Sequence, residues 1–339
     1  MVVAPAFNEI TVMKCLVNCV GFQRLQASLV VAGLLASPAM AQSIRMPRID
    51  GDWWQVAGNP DLGVYTSDEQ EPVDFGIWQA TDGTWQLWSC IRKTKCGGNT
   101  RLFYRWEGRE LTQSDWKPVG IAMQADPNLG ETVGGLQAPH VIRHAGRFLM
   151  FYGDWGRICL AESEGGKIFK RVLNQQGQPD LFSGPYGNTR DPMVIQIDGR
   201  FYCYYMGHKK DEQIQSAIFC RTSQDLMAWS EPVMVCGGGA PANQDRWYGG
   251  DAECPFVLRY DDGFYLFRNQ RYGPTNLNTQ YRSADPLDFG VDSDRYLIST
   301  LPVAAPEIVR HDGQYYIAAL KPELDGIRIA RLKWDNKER

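Results

Sequence analysis

The stretch Asp191-Pro-Met-Val-Ile-Gln-Ile-Asp-Gly199, continued by Arg-Phe-Tyr-Cys-Tyr-Tyr205, decides the fold of this chain. Its Asp-Gly pair supplies the positive φ angles of a tight turn, and β-branched and aromatic residues flank the pair, so the stretch predicts a β-hairpin. The same order of features occurs five times: a polar or Pro-containing start, a β-rich run, a turn that ends in Gly, and an aromatic-rich strand. The other copies begin at Asp74, Ala138, Glu253 and Ala305.

The spacing of the copies indicates the architecture. Their turn glycines lie about 50 to 64 residues apart, which is the length of a four-stranded propeller blade. The sequence therefore predicts an all-β fold, a five-bladed β-propeller of four-stranded antiparallel blades. A β-sandwich of similar hairpins is the alternative, but it does not require five equivalent starts at near-constant spacing. We expect residues 42–71 to form an N-terminal arm that supplies a closing strand or part of the cleft.

The first 41 residues differ from the rest of the chain. Leu29–Leu35 is a continuous apolar run, Arg24 precedes it, and Ala39-Met-Ala41 forms an A-x-A cleavage pattern. These features predict a signal peptide over residues 1–41, followed by a single propeller domain over residues 42–339. An uncleaved anchor is the alternative, but the run is short for a membrane span of about 20 residues. The predicted location is secreted or periplasmic, without a membrane contact after cleavage.

Charge and cysteine content restrict the function further. The formal net charge is -4 and the Lys and Arg residues are scattered, so the basic stripe of a nucleic-acid binder is missing and no nucleic-acid partner is expected. Seven of the nine cysteines follow the predicted leader, at spacings that fit no zinc site. Because export permits disulfides, we expect a local Cys90–Cys96 bridge and a bridge between Cys203 and Cys220.

Acidic side chains recur where the predicted inner strands begin. In a propeller these starts crowd one mouth of the central channel, and here they are Asp74, the Gln137–His140 region, Asp191, Glu253 and the Pro306-Glu307 pair. Like charges that lie close together repel each other and raise each other's pKa. Glycoside hydrolysis needs a cluster of acidic side chains, because one carboxylic acid protonates the leaving oxygen while a carboxylate acts as base or nucleophile. A third carboxylate can keep the acid protonated.

With these residues the chain resembles the five-bladed propeller glycosidases, chiefly glycoside hydrolase family 43, with family 32 as a close relative. The resemblance covers essentially the whole mature chain through the five hairpins. Arg190-Asp-Pro192 is similar to the Arg-Asp-Pro motif of family 32 and to the Asp-Pro motif of family 43. Glu253-Cys-Pro255 is similar to the Glu-Cys-Pro motif of family 32.

The resemblance implies catalytic roles for three acids. Glu253 would be the general acid, Asp191 the pKa-tuning or transition-state-stabilising residue, and Asp74 the general base of family 43 or the nucleophile of family 32. Phe75 follows Asp74 where both families prefer Pro, and the Asn-Asp-Pro-Asn-Gly opening of family 32 is missing. Asp61 is therefore a rival to Asp74; we prefer Asp74 because its distance to the Asp-Gly turn matches the other copies.

Six further residues are candidates for substrate binding: His140, Trp155, Arg190, Trp247, Arg268 and Glu307. The two tryptophans are expected in loops beside the channel openings, where an indole face can stack on a sugar, with plain packing as the alternative. Arg190 would contact a sugar hydroxyl or bridge two carboxylates. His140 stands where family 43 commonly carries an acid, and an ion pair with Arg310 is the alternative role of Glu307.

The predicted function is that of a secreted glycosidase that acts on poly- or oligosaccharides as a monomer. Resemblance to family 43 implies inversion and arabinofuranoside or xyloside substrates, whereas resemblance to family 32 implies retention and fructans. A non-catalytic carbohydrate-binding propeller is the alternative from another class. No organic cofactor is expected. A structural calcium or a sodium ion in the channel is known in some relatives, but the sequence shows no ligand set for it.

Overall fold

A computed structural model of the protein describes residues 44–239 and 252–336, and these form five antiparallel sheets arranged as a five-bladed β-propeller. The sequence prediction of the fold is confirmed. The helices of the described residues are two single 3-10 turns, Gly63–Tyr65 and Pro127–Leu129, and neither is long or apolar enough to cross a membrane.

The strands follow one another in chain order. β1 spans Arg45–Gly58. Blade 1 consists of β2 (Glu71–Gln79), β3 (Trp85–Arg92), β4 (Leu102–Gly108) and β5 (Lys117–Met123). Blade 2 consists of β6 (Leu136–His144), β7 (Arg147–Asp154), β8 (Arg157–Ser163) and β10 (Asp180–Ser183), with the short β9 (Lys170–Arg171) also paired to β8. Blade 3 consists of β11 (Asn188–Ile197), β12 (Arg200–His208), β13 (Ser216–Ser223) and β14 (Val233–Gly237).

Blade 4 consists of β15 (Glu253–Tyr260), β16 (Gly263–Arg271), β17 (Leu277–Ser283) and β18 (Leu297–Leu301). Blade 5 consists of β19 (Glu307–His311), β20 (Gln314–Leu320), β21 (Gly326–Asn336) and, as its outermost strand, β1. β1 pairs antiparallel with β21, so that Arg45 lies opposite Asn336 and Gly58 opposite Gly326. The N-terminal arm therefore supplies the closing strand, as expected.

The core lies between neighbouring blades, because each middle strand buries both of its faces. On β7, Phe151 packs into the cluster shared with blade 3, whereas the next residue, Tyr152, packs into the cluster shared with blade 1. Successive strand residues point to opposite faces of a sheet. This alternation explains why the second strand of each hairpin is aromatic-rich over its whole length.

The same alternation overturns the disulfide predictions. Every cysteine in the described part of the chain is a free thiol. Cys203 faces blade 2 and Cys220 faces blade 4, on opposite sides of the blade 3 sheet, so no bond can join them. Cys90 is buried in β3 with its sulfur 3.3 Å from the Leu136 carbonyl oxygen. The Cys96 sulfur lies 3.4 Å from the Arg101 carbonyl oxygen, in the loop beyond β3.

Candidate active site

Five equivalent residues at the starts of the inner strands build the mouth of the channel, at a β-bulge in blades 1 to 4 and just before β19 in blade 5. Each of them has a left-handed φ between 29° and 57°. We call these residues the bulge ring: Asp74, Ala138, Asp191, Cys254 and Ala305. A bulge re-aims one side chain out of the regular alternation, and non-glycine residues with positive φ concentrate at functional sites. All five line one depression, so the fold directs three functional side chains and two small ones at the same space.

In blade 4 the ring position is occupied by the residue that follows the one expected from the sequence. Glu253 was expected at the position equivalent to Asp191, but the bulge residue of blade 4 is Cys254, since Pro255 corresponds to Pro192. Glu253 instead matches Arg190, the residue before the bulge of blade 3. These two neighbours carry opposite charges and form an ion pair between the Arg190 Nη2 and the Glu253 Oε1. The correction leaves Glu253 beside the ring rather than in it.

A hydrogen-bond network joins the functional side chains of the ring. The Cys254 thiol lies 3.2 Å from the Asp74 Oδ1 and 3.6 Å from the Asp191 Oδ2, and its backbone N–H donates to the same Asp191 oxygen at 3.2 Å. The Tyr272 hydroxyl donates to the Asp74 Oδ1 at 3.0 Å and lies 3.0 Å from the Cys254 sulfur. Asp74 thus has two fixed donors on one oxygen, which hold its carboxylate in place.

Asp191 is the most deeply buried of the three acids, with 3% of its surface exposed. Burial raises the pKa of Asp191 to about 7, the positive charge of Arg190 opposes the shift, and the charges of Asp74 and Glu253 add to it. The Arg190 Nε lies 3.7 Å from the Asp191 Oδ1, and that oxygen has no hydrogen-bond partner among the described residues. Near neutral pH the site therefore holds a carboxyl group that can exchange its proton.

This elevated pKa predicts a pH-dependent stability. An unfolded Asp has a pKa of about 3.9, so the folded chain binds this proton more tightly than the unfolded chain does. The free energy of unfolding should fall as pH rises from about 4 to about 7 and then level off, with each pKa unit corresponding to about 1.4 kcal/mol. Urea unfolding in EDTA should show wild type losing a few kcal/mol relative to Asp191→Asn between about pH 5 and about pH 8. Parallel pH curves for the two proteins would contradict the burial argument.

Arg190 lies between the carboxyl groups of Asp191 and Glu253, which corresponds to one of the two roles predicted for it. Burial alone would lower the pKa of Arg190, but the charges of Glu253 and Asp191 raise it well above its ordinary value. The guanidinium is therefore permanently charged at the centre of an otherwise acidic mouth. An ion pair of this kind stabilises the ionised form of the carboxyl group it contacts.

His140 and Glu307 meet in the channel, from blades 2 and 5. The His140 Nε2 lies 3.2 Å from the Val194 carbonyl oxygen, and because a carbonyl only accepts, this nitrogen carries the proton. The His140 Nδ1 lies 3.9 Å from the Glu307 Oε2. Burial lowers the pKa of His140 to about 4 and raises the pKa of Glu307 well above its usual range. Glu307 therefore faces His140 across the channel rather than the predicted partner Arg310.

The remaining candidate residues lie in different parts of the protein, and not all of them are near the bulge ring. Trp155 lies in the turn between β7 and β8, at the end of blade 2 where its inner strand begins, with the Arg101 guanidinium 4.9 Å above its ring. Trp247 lies outside the described residues. Arg268 is not brought to the acids: it is fully buried between blades 3 and 4, with its Nη1 3.4 Å from the sulfur of Cys236 on β14. Asp61 is exposed and accepts hydrogen bonds from the Gly63 N–H and the Thr66 hydroxyl, away from the ring.

Two contacts in the site were missed from the sequence. Cys254 could have been found by aligning the five copies on their prolines rather than on their acids. Tyr272 follows β16 and has no counterpart in the repeat, so no pattern pointed to it.

The oxygen and sulfur ligand atoms of Asp74, Asp191 and Cys254 lie within 4.8 Å of one another. Ca²⁺ takes six to eight oxygen ligands, so this mixed set of oxygen and sulfur atoms does not resemble a calcium site.

No protein-family model and no curated protein matches this chain. Solved structures share its fold. A thermostable family-43 glycoside hydrolase is 20% identical, with a TM-score of 0.59, covering 80% of this chain and 90% of that one. An endo-arabinase from Bacteroides thetaiotaomicron VPI-5482 is 14% identical, with a TM-score of 0.57 and coverage of 83% and 98%.

A third similar structure is a family-43 β-xylosidase/α-arabinofuranosidase from a compost microbial metagenome, in complex with xylotriose. It is 15% identical, with a TM-score of 0.54, and the alignment covers 85% of this chain and 96% of that one. At identities this low, the three similarities establish that the chain has the same propeller fold.

Proposed function

We propose that this protein is a glycoside hydrolase that cleaves arabinofuranosides or xylosides. The observation that carries the proposal is the convergence of Asp74 and Asp191 on equivalent bulges, with Glu253 on the adjoining inner strand. Structures of this fold include an endo-arabinase and a β-xylosidase/α-arabinofuranosidase with xylotriose in its complex. The signal peptide that the sequence predicts over residues 1–41 is the basis for proposing action outside the cytoplasm.

In this proposal Glu253 protonates the leaving oxygen while Asp74 removes a proton from the attacking water. The C1–O bond breaks through an oxocarbenium-like transition state, and the water oxygen becomes the new anomeric hydroxyl. The Tyr272 and Cys254 contacts at 3.0 and 3.2 Å hold the Asp74 carboxylate towards the mouth. Because general bases act through hydrogen-bond geometry, this fixed orientation supports its role.

Arg190 imposes a requirement on the acid. Its guanidinium pairs with the Glu253 carboxyl group, which the proposed mechanism needs free to donate a proton to the leaving oxygen. We infer that sugar hydroxyls take over the Arg190 guanidinium when substrate binds, so that the Glu253 carboxyl group is released to the glycosidic oxygen. The carboxyl group of Asp191 lies 3.7 Å from the same guanidinium. Its protonation state would therefore affect how strongly Arg190 holds Glu253.

A retaining mechanism on fructans is the second candidate, favoured by the Arg190-Asp-Pro192 and Glu253-Cys-Pro255 motifs. Asp74 would then attack the anomeric carbon and displace the leaving oxygen, which takes a proton from Glu253. Water, deprotonated by Glu253, would hydrolyse the resulting covalent glycosyl-enzyme and free Asp74. The two candidates differ in the anomer of the first-formed product, which proton NMR detects before mutarotation.

The experiment that tests the proposal is sugar release from aryl arabinofuranosides, xylosides and galactosides and from fructans. We expect release from an arabinofuranoside or a xyloside, with inversion. Release from fructans with retention would favour the second candidate. If no substrate is cleaved but calorimetry detects sugar binding, a non-catalytic carbohydrate-binding propeller replaces both.

A further inference from the structure

The bulge ring offers a set of possible metal ligands that includes a thiol for which glycoside hydrolysis has no use. Cys254 occupies the ring position of blade 4, between the carboxylates of Asp74 and Asp191. Sulfur is a soft ligand, and a thiolate with two carboxylates suits Zn²⁺ or a similar ion rather than Ca²⁺ or Mg²⁺. The other two ring residues, Ala138 and Ala305, line the same depression with small side chains.

The distances fit a tetrahedral ion. Zn–S bonds are about 2.3 Å and Zn–O bonds about 2.0–2.2 Å, so two ligand atoms on one tetrahedral Zn²⁺ are about 3.5 Å apart. The Cys254 sulfur is 3.2 Å from the Asp74 Oδ1 and 3.6 Å from the Asp191 Oδ2. The Tyr272 hydroxyl, 3.0 Å from two of these atoms, can serve as a fourth ligand or hold a water in that place.

A second observation supports a ligand beside Asp191. Asp191 is 97% buried, lines the depression, and has an Oδ1 without a hydrogen-bond partner in the described part of the chain. Buried polar atoms are normally satisfied, and an exception indicates a bound water or ion. The Arg190 guanidinium lies 3.7 Å from this oxygen and donates instead to Glu253, so it does not supply the hydrogen bond that the oxygen lacks.

We propose that the mouth of the channel binds one Zn²⁺ or similar thiophilic divalent ion through Cys254, Asp74 and Asp191, and that the bound ion blocks glycoside hydrolysis. The Cys254 sulfur forms the bond to the metal and its proton leaves to solvent. Asp74 then has a metal ion on the oxygen that would take a proton from water. The inhibitory half rests on the proposed hydrolase function, whereas the binding half does not.

The test begins with metal-stripped protein and direct binding. Calorimetry should show one Zn²⁺ per chain, and Co²⁺ should produce a sulfur-to-metal charge-transfer band. Cys254→Ser should lose the band and weaken Zn²⁺ binding at least ~tenfold, since even losing a residue that supports a ligand costs that much. Cys96→Ser is the matched control, because Cys96 is the other partly exposed cysteine of the described residues, and it should bind as wild type does.

Absence of Zn²⁺ binding by wild type, or equal binding by Cys254→Ser, overturns the site. If Cys254→Ser fails to fold by circular dichroism, Asp74→Asn takes its place, and it should keep the charge-transfer band while binding Zn²⁺ more weakly. Where wild type cleaves a glycoside, Zn²⁺ should inhibit it and EDTA should restore it; binding at Cys254 without inhibition overturns the second half. If wild type cleaves nothing, the binding data alone decide the metal site.

Discussion

Glu253→Gln is expected to lower kcat/KM by ~10²–10⁴-fold on glycosides with poor leaving groups, as the loss of a general acid does. Glutamine has nearly the shape of glutamate and can still accept a hydrogen bond from Arg190, but it cannot give a proton to the leaving oxygen. The loss should shrink for a dinitrophenyl glycoside, because that leaving group departs without protonation. Initial rates on a series of aryl glycosides with different phenol acidity measure this dependence.

The control for this variant is Glu164→Gln, which changes a glutamate whose side chain is 92% exposed. It should retain wild-type rates, and circular dichroism should show both variants folded. An equal loss on all leaving groups would mean that Glu253 acts by holding Arg190 rather than as the acid. Undiminished activity of folded Glu253→Gln would remove Glu253 from the mechanism.

Asp74→Asn is expected to lower kcat by ~10²–10⁴-fold whatever the leaving group, because activation of the water is lost. The amide oxygen of asparagine can still accept from Tyr272 and Cys254, so the fold and the affinity for substrate should change little. The two variants therefore differ in their response to the acidity of the leaving group. An acidic phenol should restore the rate of Glu253→Gln, whereas Asp74→Asn should stay slow with every leaving group. Steady-state kinetics on the same aryl series supply the measurement.

Asp61→Asn is the matched control, because Asp61 was the rival in the sequence and lies exposed at a 3-10 turn. Its activity should equal that of wild type. Full activity of Asp74→Asn together with loss in Asp61→Asn would reverse the assignment of the base.

The fold could be predicted because its signals are local. Asp-Gly turns, β-branched runs and aromatic strands specify hairpins within about 15 residues, and their repetition specifies the propeller. The side of a strand on which a residue lies depends on register and bulges. Alignment of the copies on their acids placed Glu253 at the ring position, whereas alignment on Pro192 and Pro255 places Cys254 there. Strand alternation put Arg268 into the packing between blades 3 and 4.

The finer structure of the site depends on contacts between distant parts of the chain. The Arg190–Glu253 ion pair and the Tyr272–Asp74 hydrogen bond each join different blades. The repeat pattern of the sequence does not predict contacts between blades. It did indicate the acids, because they lie at the starts of equivalent repeats. The sequence therefore located the mouth of the channel but could not show how its charges are paired.

The pairing of β1 with β21 has a consequence for the order of folding. Blades 1 to 4 are each built from one continuous stretch of chain and can form locally, but blade 5 takes its outermost strand from the other end of the described sequence. Joining strands so far apart carries a large loop-closure entropy and tends to be slow. Until they join, blade 5 lacks its outermost strand, and no backbone pairing ties the two ends of the described chain together. We therefore expect the residues that converge on the mouth to be held in their final positions only late in assembly.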